Sequence, residues 1–402
     1  MAIGLKSGKK PNIIIVIAAA VLALAVILGA VLGITVSVKN ARAVLRYEGV
    51  RLNEGVVNYL AATFKSDYMH YLKTELQIDT AEDSEFFWSL LASEDGKTYG
   101  DMLTERISLE IRTTTVGAYL FDRNASLSRE QKSALKLACE EVLDYKAGGD
   151  VERFNEISAS FGFDYEDFCF ATELLYKESL ARNAIFGFDG QVLSLEGYER
   201  EREEFLSTYS HVKLLFVNTD KGYKKNDDGS YTEYTLTDSQ RAERFAEISE
   251  IRKLISGVGT DTDEDVMSSI MFDALIEEHP FNDNHDKGGF YFSPTADYSL
   301  GFEGAYPGVV LTALNMEEGE YEEVAFSEGV CFIYKYSVEP YAYVVSSNSE
   351  FFDDFYYDLA DYVYYKSKNE LSKDVEEKDY FKNFDYLSVG CNWDLVATVG
   401  AR

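Results

Sequence analysis

From Asn12 to Val38 the chain carries no charged side chain and is almost entirely Ile, Val, Leu, Ala and Gly. About 20 such residues cross the hydrocarbon core of a bilayer as a helix, the form in which a single segment satisfies its own backbone in lipid. The pattern predicts a transmembrane anchor over 12–38, with residues 1–11 as a cytoplasmic N-terminus. Lys6, Lys9 and Lys10 precede the run and suit that orientation, yet Lys39, Arg42 and Arg46 follow it closely, so charge alone leaves the side open. Ala41-Arg42-Ala43 also reads as an A-x-A cleavage site. Signal-peptide apolar cores run about 7–15 residues, which favours an uncleaved anchor.

Beyond the anchor, Ala43 to Arg51 reads as a short strand. Helical spacing then takes over. Val56, Val57, Leu60 and Phe64 follow Asn53 on one face of a helix reaching towards Leu76. Met102, Ile107, Ile111 and Leu120 mark a second helix over 98–121. Ser128 opens a third, which runs to Tyr145, and further helices are predicted over 150–161, 164–186 and 194–209. No proline interrupts residues 43–209, and this stretch is predicted to be a helical domain.

At His211 the period changes. His211 to Val217 reads as a buried strand, and Tyr223 to Thr235 as a hairpin around Asn226-Asp227-Asp228-Gly229. Amphipathic helices follow over 238–256 and 263–278, then an Asn/Asp/Gly-rich loop over 281–289 and the strand Phe290–Phe292. A short helix over 309–314 and two strands, 322–326 and 330–336, close the unit. Phe351, Phe355, Leu359, Tyr362 and Tyr365 line one face of a last helix. That stripe needs a partner, and the helical domain is the expected one. The fold class is α+β.

Composition narrows function. Hydrophobic content of 46% with 14% aromatics supports packed cores and excludes global disorder. The net charge of −32 excludes a nucleic-acid binder, which needs clustered Lys and Arg; it suits basic or unfolded clients, or keeps the body off an anionic membrane surface. The four cysteines, Cys139, Cys169, Cys331 and Cys391, lie far apart without zinc-ligand spacing. They are free core thiols or one or two bridges. Asp283, Asn284 and Asp286 offer oxygen ligands without EF-hand spacing, so no metal site is predicted. Nucleophile-elbow, zincin, P-loop and dinucleotide signatures are absent.

Residues 210–340 resemble a parvulin-type peptidyl-prolyl isomerase domain. The resemblance is carried by Tyr209-Ser210-His211-Val212-Lys213-Leu214-Leu215, by the loop from Asn282-Asp283 to Lys287-Gly288-Gly289, and by Leu314 to Glu320 followed by Ser327-Glu328-Gly329-Val330-Cys331-Phe332-Ile333. The flanking order is similar to extracytoplasmic foldases of the SurA/PrsA type. The implied architecture is a helical chaperone-like domain over 43–209, an inserted parvulin-like domain over 210–340, and a C-terminal segment over 341–402 that completes the helical domain.

Isomerising an X–Pro bond crosses roughly 18–20 kcal/mol and needs no cofactor, only a site that binds the twisted amide better than the planar one. By the resemblance, His211 occupies the first histidine position, Asp283 (or Asn282) the acidic or cysteine position, and Cys331 the second histidine position. Leu314 and either Val309 or Phe302 would form the proline cup. The implied activity is a membrane-anchored foldase, with its body outside the cytoplasm, acting on unfolded or newly exported polypeptides. A decayed, chaperone-like relative and a cell-envelope scaffold are the alternatives, and a homodimer stays open.

Overall fold

The computed structural model describes residues 43–78, 82–93, 96–187, 197–226, 230–256, 264–278, 289–296, 306–392, 394–397 and 399. The predicted anchor over 12–38 lies outside them; among the described residues no helix is long and apolar enough to cross a membrane. The chain divides into two units, Met1–Gly187 with Tyr364–Arg402, and Phe188–Val363.

In the first unit, strands β1 (Leu45–Tyr47) and β2 (Val50–Leu52) form a hairpin where one strand was expected. Glu48 turns the chain with φ of 48°, and β1 also pairs with the strand Glu376–Glu377. The helices are α1 (Glu54–Thr74), α2 (Glu85–Trp88), α3 (Tyr99–Asn124), α4 (Arg129–Ala147), α5 (Val151–Ser158) and α6 (Tyr165–Phe186). Their starts are local chemistry. Asn53 accepts from Val56 N at the head of α1, while Thr98/Asp101, Ser128/Gln131 and Asp164/Asp167 form reciprocal capping boxes for α3, α4 and α6. Val57, Leu60, Ile107, Ile111, Phe154 and Phe168 are fully buried in the core.

Helices α3 and α6 approach closely at Gly117, where a Cβ would lie 2.5 Å from Glu178 Cγ. The C-terminal half of the helix Phe355–Leu371 reaches the same place: Tyr364 Oη donates to Glu178 and Lys368 forms an ion pair with it. Further on, the tail is tied to α1, where the Asn392 side chain donates to Thr63 Oγ1 and accepts from Ser66 Oγ.

The second unit is built on a four-stranded antiparallel sheet. Its strands are β3 (Ser210–Asn218), β6 (Phe290–Phe292), β7 (Tyr321–Phe326) and β8 (Gly329–Tyr336), in the order β6-β3-β8-β7. The hairpin β4 (Lys221–Lys225) with β5 (Tyr231–Thr235) stands apart as a two-stranded sheet. Helices α8 (Asp238–Ser256) and α9 (Glu264–Glu278) cover one face through Ile248, Ile251, Phe272 and Ile276. Helix α10 (Pro307–Asn315) covers the other through Val309, Val310 and Ala313. Helix α7 (Glu199–Leu206) and residues 341–363 belong here, although the sequence reading assigned them to the helical domain. The reason is aromatic packing. Phe205 and Tyr209 pack against Phe355, and Phe352 stacks on Tyr209 while also meeting Tyr291 of β6.

Candidate functional site

In a pleated sheet successive side chains alternate between faces, and directly opposed residues share one. Across β3 and β8, Phe216 opposes Cys331, Leu214 opposes Ile333 and His211 opposes Tyr336; across β3 and β6, His211 also opposes Tyr291. His211 and Phe216 stand an odd number of residues apart on an unbroken strand. His211 and Cys331 therefore project from opposite faces of the sheet. This corrects their reading as members of one polar cluster.

Cys331 sits in the core under α10, with Leu214, Phe216 and Val309 around it. The residue is 2% exposed, its thiol makes a long contact of 3.9 Å to the Phe332 carbonyl, and burial pushes its pKa up. Val309 is fully buried and Leu314 packs against the same cluster. These residues fill one another's space, so Val309 and Leu314 line a solid core rather than an open proline cup. Asp283 and Phe302 lie outside the described residues.

On the opposite face, the β3–β6–β8 corner gathers polar and aromatic groups. The His211 ring stacks on Tyr291 with centroids 4.3 Å apart and planes within 9°. Its Nδ1 lies 2.9 Å from the Ser337 carbonyl, which can only accept; in the neutral ring this fixes the proton on Nδ1. Lys213, two residues along the same face, makes an ion pair with Asp273 of α9 at 2.6 Å and lies over the Tyr336 ring. Tyr336 Oη donates to the same Asp273 oxygen at 2.8 Å. Burial raises the Tyr336 phenol, and the Asp273 carboxylate raises it further; burial pushes Tyr291 up to about 12. Gly289, at φ 79°, closes the corner. A Cβ there would stand 2.6 Å from the Val212 carbonyl oxygen and 3.1 Å from His211 Nε2.

No family model and no curated protein matches this chain. Among solved structures, it is similar to the peptidylprolyl isomerase PrsA from Bacillus anthracis, with 13% identity over 69% of this chain and all of that one, at a TM-score of 0.22. It is also similar to PrsA from Bacillus subtilis, with 13% identity over 74% of this chain and 97% of that one, at a TM-score of 0.17. At these TM-scores the overlaps decide neither fold nor activity.

The corner around His211 thus holds an imidazole, two phenols, a lysine and a carboxylate, with the imidazole 6% exposed. Such groups can exchange protons and orient a carbonyl. Sequence reasoning missed Lys213, Asp273, Tyr291 and Tyr336 as neighbours of His211. Only Lys213 left a signal, through its period-2 spacing from the histidine. The first unit adds a groove of about 540 Å³ lined by Asp83, Trp88, Thr98 and Leu387, beside the exposed Phe86 and Leu91.

Proposed function

We propose that this chain is a chaperone-like foldase module of parvulin-like topology, held at a membrane by residues 12–38, which binds unfolded exported polypeptides without isomerising X–Pro bonds. The separation of His211 from Cys331 by the sheet carries this reading. On the face under α10, the β3 positions nearest Cys331 are Leu214 and Phe216, so the described β3 side chains beside that thiol are apolar and form no polar pair with it for a rotating carbonyl. The strand order β6-β3-β8-β7, with two helices between β3 and β6 and one between β6 and β7, supports the parvulin-like topology. The exposed Phe86 and Leu91 beside a groove support client binding, since apolar side chains of extended chains need such partners.

The test uses the full chain in detergent. Cis–trans exchange of a proline peptide is expected to stay at the uncatalysed rate, while aggregation of an unfolded client is suppressed in both wild type and His211→Ala. Exchange above background that disappears in His211→Ala would instead establish an active isomerase centred on the β3–β6–β8 corner. Loss of both activities in every assay would remove the foldase reading altogether.

A further inference from the structure

Two open grooves adjoin on the first unit. One, of about 540 Å³, has Glu85, Trp88 and Leu387 in its walls; the other, of about 520 Å³, has Phe161, Tyr380 and Phe384. Asp385 and Ser388 line both, so one groove runs into the other. The walls come from three distant stretches, 83–89, 159–162 and 380–389, and α1 fixes all of them. Asn58 and Lys65 stand seven residues apart on that helix and so share a face. Lys65 binds Asp83 and the carbonyls of Leu387 and Val389. Asn58 Nδ2 donates to the Gly162 carbonyl at 2.9 Å, and its Oδ1 accepts from Tyr380 Oη at 3.0 Å. A surface braced in this way loses little freedom when a chain settles on it.

The chemistry of the walls selects the occupant. Phe161, Tyr380 and Phe384 are half-buried and offer ring surface, and Phe86, next in sequence to Glu85, is 75% exposed. Among the described residues no lysine or arginine lines either groove, whereas Asp83, Glu85 and Asp385 do. Lys65 takes the charge of Asp83. Glu85 and Asp385 are exposed carboxylates outside every ion pair among the described residues. A purely apolar segment laid over them would strip their water without return. A lysine or arginine can rest its stem along a ring while its head meets a carboxylate. The net charge of −32 also draws cationic segments from solution and repels acidic ones.

Resting on the client-binding reading above, we infer that the two grooves form one track for an extended polypeptide segment carrying Lys or Arg among apolar residues. Its cations sit at Glu85 and Asp385, and its apolar side chains lie on Phe161, Phe384 and the exposed Phe86. Asp385 is the pivot. It lines both grooves, and the backbone N–H groups of Leu387 and Ser388 donate to its Oδ1 and hold it in place. Clients are thus chosen by charge as well as by apolarity, and an acidic segment of equal apolarity is turned away.

The test measures, by fluorescence anisotropy, the binding of three dye-labelled unstructured peptides to the full chain in detergent. The peptides share one pattern of Phe and Leu and carry Lys, Gln or Glu between the apolar positions. The Lys peptide should bind at least about tenfold tighter than the Gln peptide, and the Glu peptide should not bind. In Glu85→Gln/Asp385→Asn, which keeps an acceptor at both positions, the preference should fall to about twofold or less. In Glu243→Gln/Glu250→Gln, exposed on α8 of the second unit, it should persist. Each pair removes two charges from a net −32, so the long-range field is matched. Equal loss in both pairs, or no loss in the groove pair, would overturn the track. Self-association of the chain that disappears in the groove pair would overturn it too, by assigning the grooves to a second copy. Equal binding of all three peptides removes the charge selection and leaves the foldase reading standing, whereas no binding of any peptide removes both. If the groove pair fails to fold, carbodiimide coupling of the Lys peptide to the wild type decides: adducts at Glu85 or Asp385 support the track, and adducts elsewhere overturn it.

Discussion

Lys65 is fully buried, in the middle of α1, where a helix face of this kind normally carries an apolar side chain. An ammonium has three N–H donors, and three acceptors meet them: the Leu387 carbonyl at 2.9 Å, the Val389 carbonyl at 2.7 Å and Asp83 Oδ1 at 2.6 Å. The Trp88 ring lies beneath the charge, with its centroid 5.4 Å away, and Trp88 Nε1 donates to the same Asp83 oxygen. The lysine thus pins the C-terminal segment and the 83–88 segment to α1 with one group. Lys65→Ala would leave two carbonyls and a carboxylate short of a donor in a dry site. A loss of about 2–4 kcal/mol is expected, discounted because Asp83 keeps some water. Denaturant melts of the full chain check it, and a loss below about 0.5 kcal/mol, the surface level, would show that the tail holds without this link. Lys65→Arg should not restore the wild-type value, since a planar guanidinium cannot point three donors at this tripod.

At the scale of elements, the junction between β3 and β6 depends on one residue without a side chain. Gly289 precedes β6 with a positive φ of 79°, and a Cβ there would press within 2.6 Å of the Val212 carbonyl oxygen, which is backbone and cannot turn aside. Gly289→Ala should therefore cost roughly 1–3 kcal/mol through strain, and hydrogen exchange should quicken at Phe290–Phe292 before it does so on β8. Equal protection in the variant would mean that the loop absorbs the methyl. The helix starts were legible beforehand because their causes are local. Asn53, Thr98, Ser128 and Asp164 each cap a helix three residues or fewer from the partner they serve. The faces of β3 were not legible. Leu214, Leu215, Phe216 and Val217 are all buried, because helices cover both sides of the sheet, and a strand buried on both faces loses the alternation that would reveal which side His211 takes. The partners of His211 and Lys213 also arrive from β6, β8 and α9, far along the chain. Composition and period hold no record of such distances. The same limit explains the misassigned α7, because the partners of its Phe205, Phe355 and Tyr362, lie far downstream.

The whole molecule carries a net charge of −32 at neutral pH, so like-charge repulsion opposes the compact state and weakens as carboxylates protonate. Burial acts in the same sense on particular groups. It raises Asp67, Glu110, Asp167 and Glu247 above their ordinary values. A carboxyl whose folded pKa is raised holds its proton more firmly when folded, so folding is favoured below the unfolded value and that contribution is lost as pH rises through the folded one. Lowering the pH from 7 towards 5 should therefore raise Tm, and adding salt at pH 7 should raise it too by screening. Exposed Asp101 and Glu130, held low by hydrogen bonds to capping groups, work the other way but are two against a large excess. The alkaline side is steeper. Burial pushes Tyr59, Tyr291 and Tyr386 up to about 12 from 10.0, so the folded state keeps phenol protons that the unfolded chain releases. Stability from these groups is complete below pH 10.0 and is lost as pH rises from there through about 12. Melts across pH 5–12, read beside tyrosinate absorbance, should show Tm falling towards both neutrality and alkali from a maximum on the acid side. Buried phenols should ionise only as the fold opens. A maximum at or above pH 8 would mean that ion pairs such as Lys65–Asp83 and Lys213–Asp273 outweigh the repulsion, and that the acidic surface is stabilised by local pairing.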